Sequence, residues 1–392
     1  MSEPGHTILD GEVELGPIAH GGYCVARWQG RVVFVRGGLP GERVRVALTD
    51  DSRRSHWFGR VDEVVTASPH RVDPPCPVAG QCGGCDFQHV DLTHQRELKR
   101  RVVAEQLAHL AGIEWDGTVE EVAGAPDGLG WRTRMHYRGA GGRPALRRHR
   151  SHELVEVPEE GCPIAHPQGR TAAETACRGG GQDVLVTVAA ASGDTPVTSV
   201  VVDGHLVAGE TPVCEEVGGR RWKVGVDGFW QVHPGAAQTL GDAVLGGLEP
   251  RPGERALDLY CGVGLFAGLL ADAGAQVQGV EVSRRAVALA RRNVPGARFM
   301  AARVERAMER LPRRTGIVVL DPPRRGAGRK VVEAVAATSP RAVAHVACDP
   351  AALGRDLGLF AESGYRAVEV RAFDLFPMTH HVECVAILER QV

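Results

Sequence analysis

Three side chains able to do chemistry fall where a hydrophobic run gives way to a loop. They are Asp321 in Leu320-Asp-Pro-Pro-Arg-Arg-Gly-Ala-Gly328, Cys348 in Val346-Ala-Cys-Asp-Pro350 and Glu383 in His380-His-Val-Glu-Cys384. In an open α/β sheet, such strand ends face one crevice. A thiol there is a nucleophile once a partner or a lowered pKa activates it. A carboxylate there can take up a proton. Singly, each has a plain reading: a strand-end cysteine is commonly core, and a strand-end glutamate is commonly solvated or salt-bridged. The set says more, because it converges with a ligand-type turn. Ala256-Leu-Asp-Leu-Tyr-Cys-Gly-Val-Gly264 is a hydrophobic strand entering a Gly-x-Gly turn, where the backbone can approach a ligand closely. Glu281, 17 positions after Gly264, ends the next strand and could accept hydrogen bonds from both hydroxyls of a ribose. Leu265-Phe-Ala follows Gly264, so the third glycine of a dinucleotide fingerprint is missing.

A second constellation consists of Cys76, Cys82 and Cys85 in a Pro/Gly loop, with Cys162 far downstream in Gly161-Cys-Pro163. Four soft thiolates favour a metal or a cluster. Zinc remains the physical alternative, although zinc ribbons usually pair CxxC with CxxC. A third feature is Trp131–Arg150, with seven arginines and no acid. Arg132, Arg134, Arg138, Arg143, Arg147, Arg148 and Arg150 could engage phosphates, while Trp131, His136 and Tyr137 could stack on unpaired bases. The plain alternative is a solvated hairpin in an arginine-rich protein.

One thiolate and one carboxylate beside a methyl donor suit methylation of a pyrimidine at C5. Thiolate addition at C6 makes C5 nucleophilic, and a base then removes the C5 proton. The D-L-x-C-G-x-G turn resembles the S-adenosylmethionine site of class I methyltransferases. In amino-methyltransferases a similar (D/N)PP precedes an aromatic residue. Arg324 stands there instead, which argues against amine methylation.

Over nearly its full length the chain resembles the uracil-C5 RNA methyltransferase family, in the branch with an iron–sulfur cluster. The resemblance is carried, in order, by the N-terminal barrel, the C-x5-C-x2-C run, the fourth cysteine, Phe229–His233, DLYCGVG, DPPRRG, Ala347–Leu357 and Asp374–Glu383. It implies Cys348 as nucleophile and Glu383 as proton acceptor. Gln231, Tyr260, Glu281 and Asp321 would contact S-adenosylmethionine, with Gly262 and Gly264 forming the turn. It also implies a structural [4Fe–4S] cluster on Cys76, Cys82, Cys85 and Cys162, and a TRAM-like barrel as an RNA surface. Three positions depart from the family pattern: Leu265 and Asp349 stand where Asn is frequent, and Arg303 where an acid is expected near the adenine. A cytosine-C5 enzyme and a non-catalytic RNA-binding iron–sulfur protein are the alternatives.

These residues need elements to position them. The chain has 392 residues, 43% hydrophobic and 24% charged, which suits two or three folded domains and excludes wholesale disorder. Its formal charge is −2, so any nucleic-acid contact must be a local patch. Short strands and glycine turns over 1–68 suggest a TRAM/OB-like β-barrel. Residues 69–225 read as a β-rich central domain carrying the cysteines. Its helix 92–111, with Thr93 as cap and Gly112 as stop, is expected to pack on the catalytic domain. Alternating strands and helices over 226–392 read as a Rossmann-like α/β methyltransferase domain. The N-terminus lacks a signal-peptide pattern and no apolar run suits a membrane span. A cytoplasmic monomer is expected, in a reducing compartment where the ten cysteines would not form structural disulfides.

Overall fold

The computed structural model describes residues 7–189 and 196–391. Parts of the three expected regions (1–6, 190–195 and 392) lie outside the described residues. The N-terminal strands form one curled sheet of six, in the order Val13–Glu14, Arg43–Asp50, His56–Thr66, Arg31–Arg36, Tyr23–Trp28, Ile18–Ala19. Period-two alternation shapes it: Arg43 and Arg45 face solvent while Val44 and Val46 are fully buried. Backbone bonds such as Gly16 N to the Val25 carbonyl (2.8 Å) curl the sheet onto itself. Phe87, Val90 and Leu98, from beyond the strands, complete its interior.

Fully buried Glu42 ties this sheet to the next segment. Arg71 donates to it from Nε and Nη2, both at 2.6 Å, and the N–H groups of Leu39 and Ser68 donate at 2.8 and 3.0 Å. The helix Leu92–Ala111 follows. Asp91, rather than Thr93, caps it by accepting from the His94 N–H at 2.8 Å, and Gly112 ends it at φ 65°. This helix packs on helix Pro350–Glu362. Gly354 permits the approach, since a Cβ there would lie 2.9 Å from the Gln106 carbonyl oxygen.

The central sheet is antiparallel throughout, ordered Leu154–Glu156, Arg143–Arg147, Arg134–Ala140, Asp183–Ala189, Val197–Val202, His205–Ala208. Helix Pro167–Arg178 packs on it.

The C-terminal sheet has eight strands in the order Arg298–Ala301, Gln276–Glu281, Arg255–Leu259, Ile317–Leu320, Ala342–Ala347, Glu383–Arg390, Tyr365–Asp374, Val119–Glu121. All are parallel except Glu383–Arg390, which runs antiparallel to both neighbours. Two pieces of the expected central region belong here instead. Val119–Glu121 is the eighth strand. The hairpin Val213–Val217/Arg220–Val224 buries Trp222 against Gly268 in the core of this sheet. Both are too short to carry a period that would announce their destination. No helix among the described residues is long and apolar enough to cross a membrane.

Burial opposes ionisation of Glu42, but Arg71 and the two N–H groups win and hold its carboxyl below the usual range. The stability it confers is therefore present above its unfolded-state pKa and lost as pH falls through the folded one. Glu42→Gln is expected to cost roughly 3 kcal/mol near neutrality, the low end for removing one partner of a buried pair. In thermal unfolding of the full chain, the gap in Tm between parent and variant should shrink below about pH 4.

Candidate active site

Sheet register brings the candidate residues together. Ala347 pairs with Cys384 across the antiparallel ladder, which sets Cys348 opposite Glu383. Ala347 and Cys384 point into the core beneath the sheet. Side chains alternate along strands, so their neighbours Cys348 and Glu383 face the other way, into a cleft of about 2210 Å³. Asp321 ends the strand beyond, and Arg324 reaches the same cleft. Burial pushes the Cys348 thiol up to about 12, reinforced by Glu383 and opposed by Arg324. Glu383 is only 4% exposed; burial and then Asp321 push its carboxyl well above the usual range, again against Arg324. Burial raises Asp321 to about 7. Three acids thus share one desolvated pocket facing one guanidinium, and each charge disfavours the next. That arrangement holds protons ready to be moved.

The candidate cofactor-binding residues lie beside this group. Tyr260, Gly262, Glu281 and Asp321 line the cleft with Gln231, which arrives from the loop before helix Ala236–Leu248. A Cβ on Gly262 would meet only open space. Glu281 accepts from Gly262 N at 3.2 Å and Ser283 N at 2.7 Å, which fixes its carboxylate at the rim. Gly264 differs from expectation. It does not line the cleft but starts helix Leu265–Asp272 at φ 92°, against Ala290, Val294 and Phe299. Asp258, in the middle of the glycine motif, was not singled out from sequence. It is fully buried, accepts from Ala267 N at 2.8 Å, and is raised by burial to about 8. Its place in the D-L-x-C-G-x-G motif was the available signal. Of the family departures, Leu265 is buried at its helix start, while Arg303 lines the cleft together with the acid Glu305. Asp349 caps helix Pro350–Glu362 through Ala352 N (2.8 Å) and meets His20 of the N-terminal sheet at 3.0 Å.

Cys76, Cys82, Cys85 and Cys162 all line the far end of the same cleft. Burial raises each thiol, Cys162 to about 11, and the charges of neighbouring cysteines add to the rise at Cys82, Cys85 and Cys162. Backbone N–H groups face three of the sulfurs: Gly84 at Cys82 (3.4 Å), Val78 at Cys76, and Ile164 and Ala165 at Cys162. Such donors stabilise thiolates bound to a cluster. The buried Tyr137 hydroxyl, close enough to Cys162 to feel its charge, has no partner. The donor set fits a thiolate-ligated group. Among the described residues, no three His, Cys, Asp or Glu side chains are placed to hold a single ion.

The arginine-rich segment is partly core. Trp131 and Tyr137 are 0% and 1% exposed, so neither can stack on a base. Arg134 is buried against Glu215 at 3.3 Å and donates to the Gly228 carbonyl at 3.0 Å, supporting the loop that carries Gln231. Arg132 lines the cleft between the cysteines and Arg324. Arg138 pairs with Asp183 at 2.8 Å and Arg148 with Glu153 at 3.0 Å, and Arg147 is exposed at the rim. An aromatic group lies instead on the N-terminal sheet: Phe34 and Phe58 stack at 5.5 Å, His56 meets both edge-on, and exposed Arg150 lies 4.7 Å above Phe58.

The sequence profile of the tRNA (Uracil-5-)-methyltransferase family matches residues 312–391, that of the methyltransferase small domain 241–346, and that of the TRAM domain 12–61. A protein of Streptomyces avermitilis named an uncharacterized RNA methyltransferase is 48% identical, over 96% of this chain and 98% of that one. The 23S rRNA (uracil(1939)-C(5))-methyltransferase of Alkalilimnicola ehrlichii is 33% identical, over 97% and 96%. The crystal structure of a Pyrococcus abyssi tRNA (uracil-54, C5)-methyltransferase with S-adenosyl-L-homocysteine shares the fold, with a TM-score of 0.73 at 23% identity over 96% and 99%. With a thiol and a carboxyl paired beside a class I methyltransferase turn, and relatives alike over the whole length, the chain belongs to the RNA uracil-C5 methyltransferase family.

Proposed function

We propose that the protein transfers the methyl group of S-adenosylmethionine to C5 of a uridine in structured RNA, ribosomal or transfer, through a transient bond between Cys348 Sγ and C6. The observation that carries this reading is the register that sets Cys348 opposite Glu383 beside the glycine turn. Sγ gives up its proton to solvent water in the cleft and adds to C6, and the C5–C6 π electrons move to leave an enolate. C5 then attacks the sulfonium methyl, and the neutral thioether S-adenosylhomocysteine departs. Glu383, as carboxylate, takes the C5 proton. The electrons of that C–H bond re-form the C5–C6 double bond and expel Sγ. Burial makes Glu383 a stronger base than an ordinary carboxylate. The Arg324 cation favours both the thiolate and the carboxylate.

Gln231, Tyr260, Glu281 and Asp321 are our candidates for holding the methyl donor. For the RNA, Arg138, Arg147, Arg148 and Arg150 border the cleft, and the aromatic face Phe34–Phe58–His56 is a better stacking surface than buried Trp131 and Tyr137. Our reading of the four cysteines is a [4Fe–4S] cluster. When bound, it would cross-link loop 76–85 to Cys162 and so brace the central sheet against the catalytic one.

Cys348→Ala should abolish transfer and any covalent complex with 5-fluorouridine RNA. Glu383→Gln should slow product release by roughly 10²–10⁴-fold and accumulate the protein–RNA adduct on ordinary substrate, seen as a slow band on denaturing gels. Its Tm should not fall, because a carboxyl with a raised folded-state pKa loses stability as pH rises, and the amide removes that loss. Since both groups must be deprotonated to act and both are raised, kcat/KM should climb with pH across the neutral range. A decline there would refute the assigned protonation states. Protein purified without oxygen should be brown and contain iron and sulfide; colourless protein with stoichiometric zinc would replace the cluster reading.

A further inference from the structure

The segment Asp374–His381 leads into Glu383 and has little regular structure of its own. Met378 sits at φ 67°, a left-handed conformation that a methionine does not choose locally. The segment is held from outside, by residues almost three hundred positions earlier. The Met378 carbonyl accepts from the N–H groups of Asp86 (2.9 Å) and Phe87 (3.0 Å). Gln95 Oε1 accepts from Met378 N at 2.9 Å, and buried Lys99 donates to Asp374 Oδ1 at 2.6 Å and the Phe376 carbonyl at 3.0 Å.

One contact links this clamp to the cysteines. Asp86 directly follows Cys85, and its carboxylate accepts from His380 Nδ1 at 2.6 Å and His380 N at 3.3 Å. Arg36 binds the same loop, donating to the carbonyls of Gly80 (3.1 Å) and Cys85 (2.6 Å) and to Asp86 Oδ1 (3.4 Å). The His380 ring lies 4.1 Å from that of His381, whose Nε2 is 3.3 Å from Arg324 Nη2. Arg324 is the cation facing both Cys348 and Glu383. A series of contacts therefore runs from the cysteine loop to Arg324, whose charge acts on the reacting pair.

We propose that Asp86 is a positioning residue for methyl transfer: by gripping His380 it fixes the segment that aims Glu383 and seats His381 against Arg324. The cysteine loop thereby acts on the chemical step as well as on the fold. This rests on Cys348 and Glu383 being the reacting pair. The grip has a physical rationale, because displacement of a reacting group by about 1 Å can cost on the order of 10²-fold in rate.

The test uses the full chain with its metal, as Asp86→Ala, Asp86→Asn, His380→Ala and the Asp86→Ala/His380→Ala double variant. Four quantities are read: metal and sulfide content, S-adenosylmethionine affinity, the kcat and KM for RNA, and the rate of adduct formation with 5-fluorouridine RNA. The two alanine variants should each lower kcat by roughly 10²-fold, with KM, cofactor affinity and metal content unchanged. Asp86→Asn keeps an acceptor and should recover part of the loss. The double variant should be no slower than the slower single one, since both act through one contact. His380→Ala changes no residue of the cysteine loop and decides the matter if the Asp86 variants fail to fold. The proposal is overturned if His380→Ala keeps the parental kcat, if the two losses multiply, or if only KM or metal content changes. Retained activity in Cys348→Ala would instead show that the reading of the reacting pair had failed.

Discussion

The site depends on one strand running against its neighbours. Because Glu383–Arg390 is antiparallel to Ala342–Ala347, its first residue lies at the sheet edge where the parallel strands end. A carboxyl at the start of one strand thus meets a thiol just past the end of another. Register is strict here, since a slip of Glu383–Arg390 by one residue would turn the core-facing Cys384 toward the cleft and the cleft-facing Glu383 toward the core. Ala342–Ala347 and the first six residues of Glu383–Arg390 are buried on both faces, so such a slip would put an ionisable group into the hydrophobic core.

The same burial that enforces the register sets the chemistry. Asp258, Asp321 and Glu383 are all raised by desolvation, and Cys348 with them. A folded chain gains nothing in stability from such groups; they persist because the surrounding structure over-determines their positions. Each part of the fold contributes to that surround. The N-terminal sheet sends His20 to Asp349 and packs Gly22 so closely that a Cβ there would lie 2.8 Å from His380. The segment after the cysteines clamps the approach to Glu383, and the buried Arg134 of the central sheet supports the loop bearing Gln231.

Much of this was legible in the chain. The strands Ile317–Leu320 and Ala342–Ala347 are near-continuous apolar runs, as strands of a parallel sheet buried on both faces are, and so can be read from the chain. The convergence of Asp321, Cys348 and Glu383 followed from strand ends alone. The arginine-rich stretch misled, since alternating Arg and aromatic residues suit an RNA-binding face and a half-buried strand equally well. Only packing shows that Trp131 and Tyr137 point inward and that Arg134 is held by Glu215. Asp258 was passed over because a buried carboxylate that binds a helix N-terminus carries no local mark of its burial.

The features legible in the chain are local and periodic: the alternation of the N-terminal strands, the glycine turn at the end of Arg255–Leu259, the stop at Gly112, and the spacing of the first three cysteines. These follow from backbone sterics and from which side chains prefer burial, and both can be read within a few residues. Tertiary structure alone decided the partners across long separations. His380 meets Asp86 across 294 positions, Lys99 meets Asp374 across 275, and Val119–Glu121 joins a sheet whose other strands begin at Arg255. The reason is physical: a charge, a pKa or a strained dihedral depends on what packs over it, and those neighbours are fixed only when the sheets and helices close together.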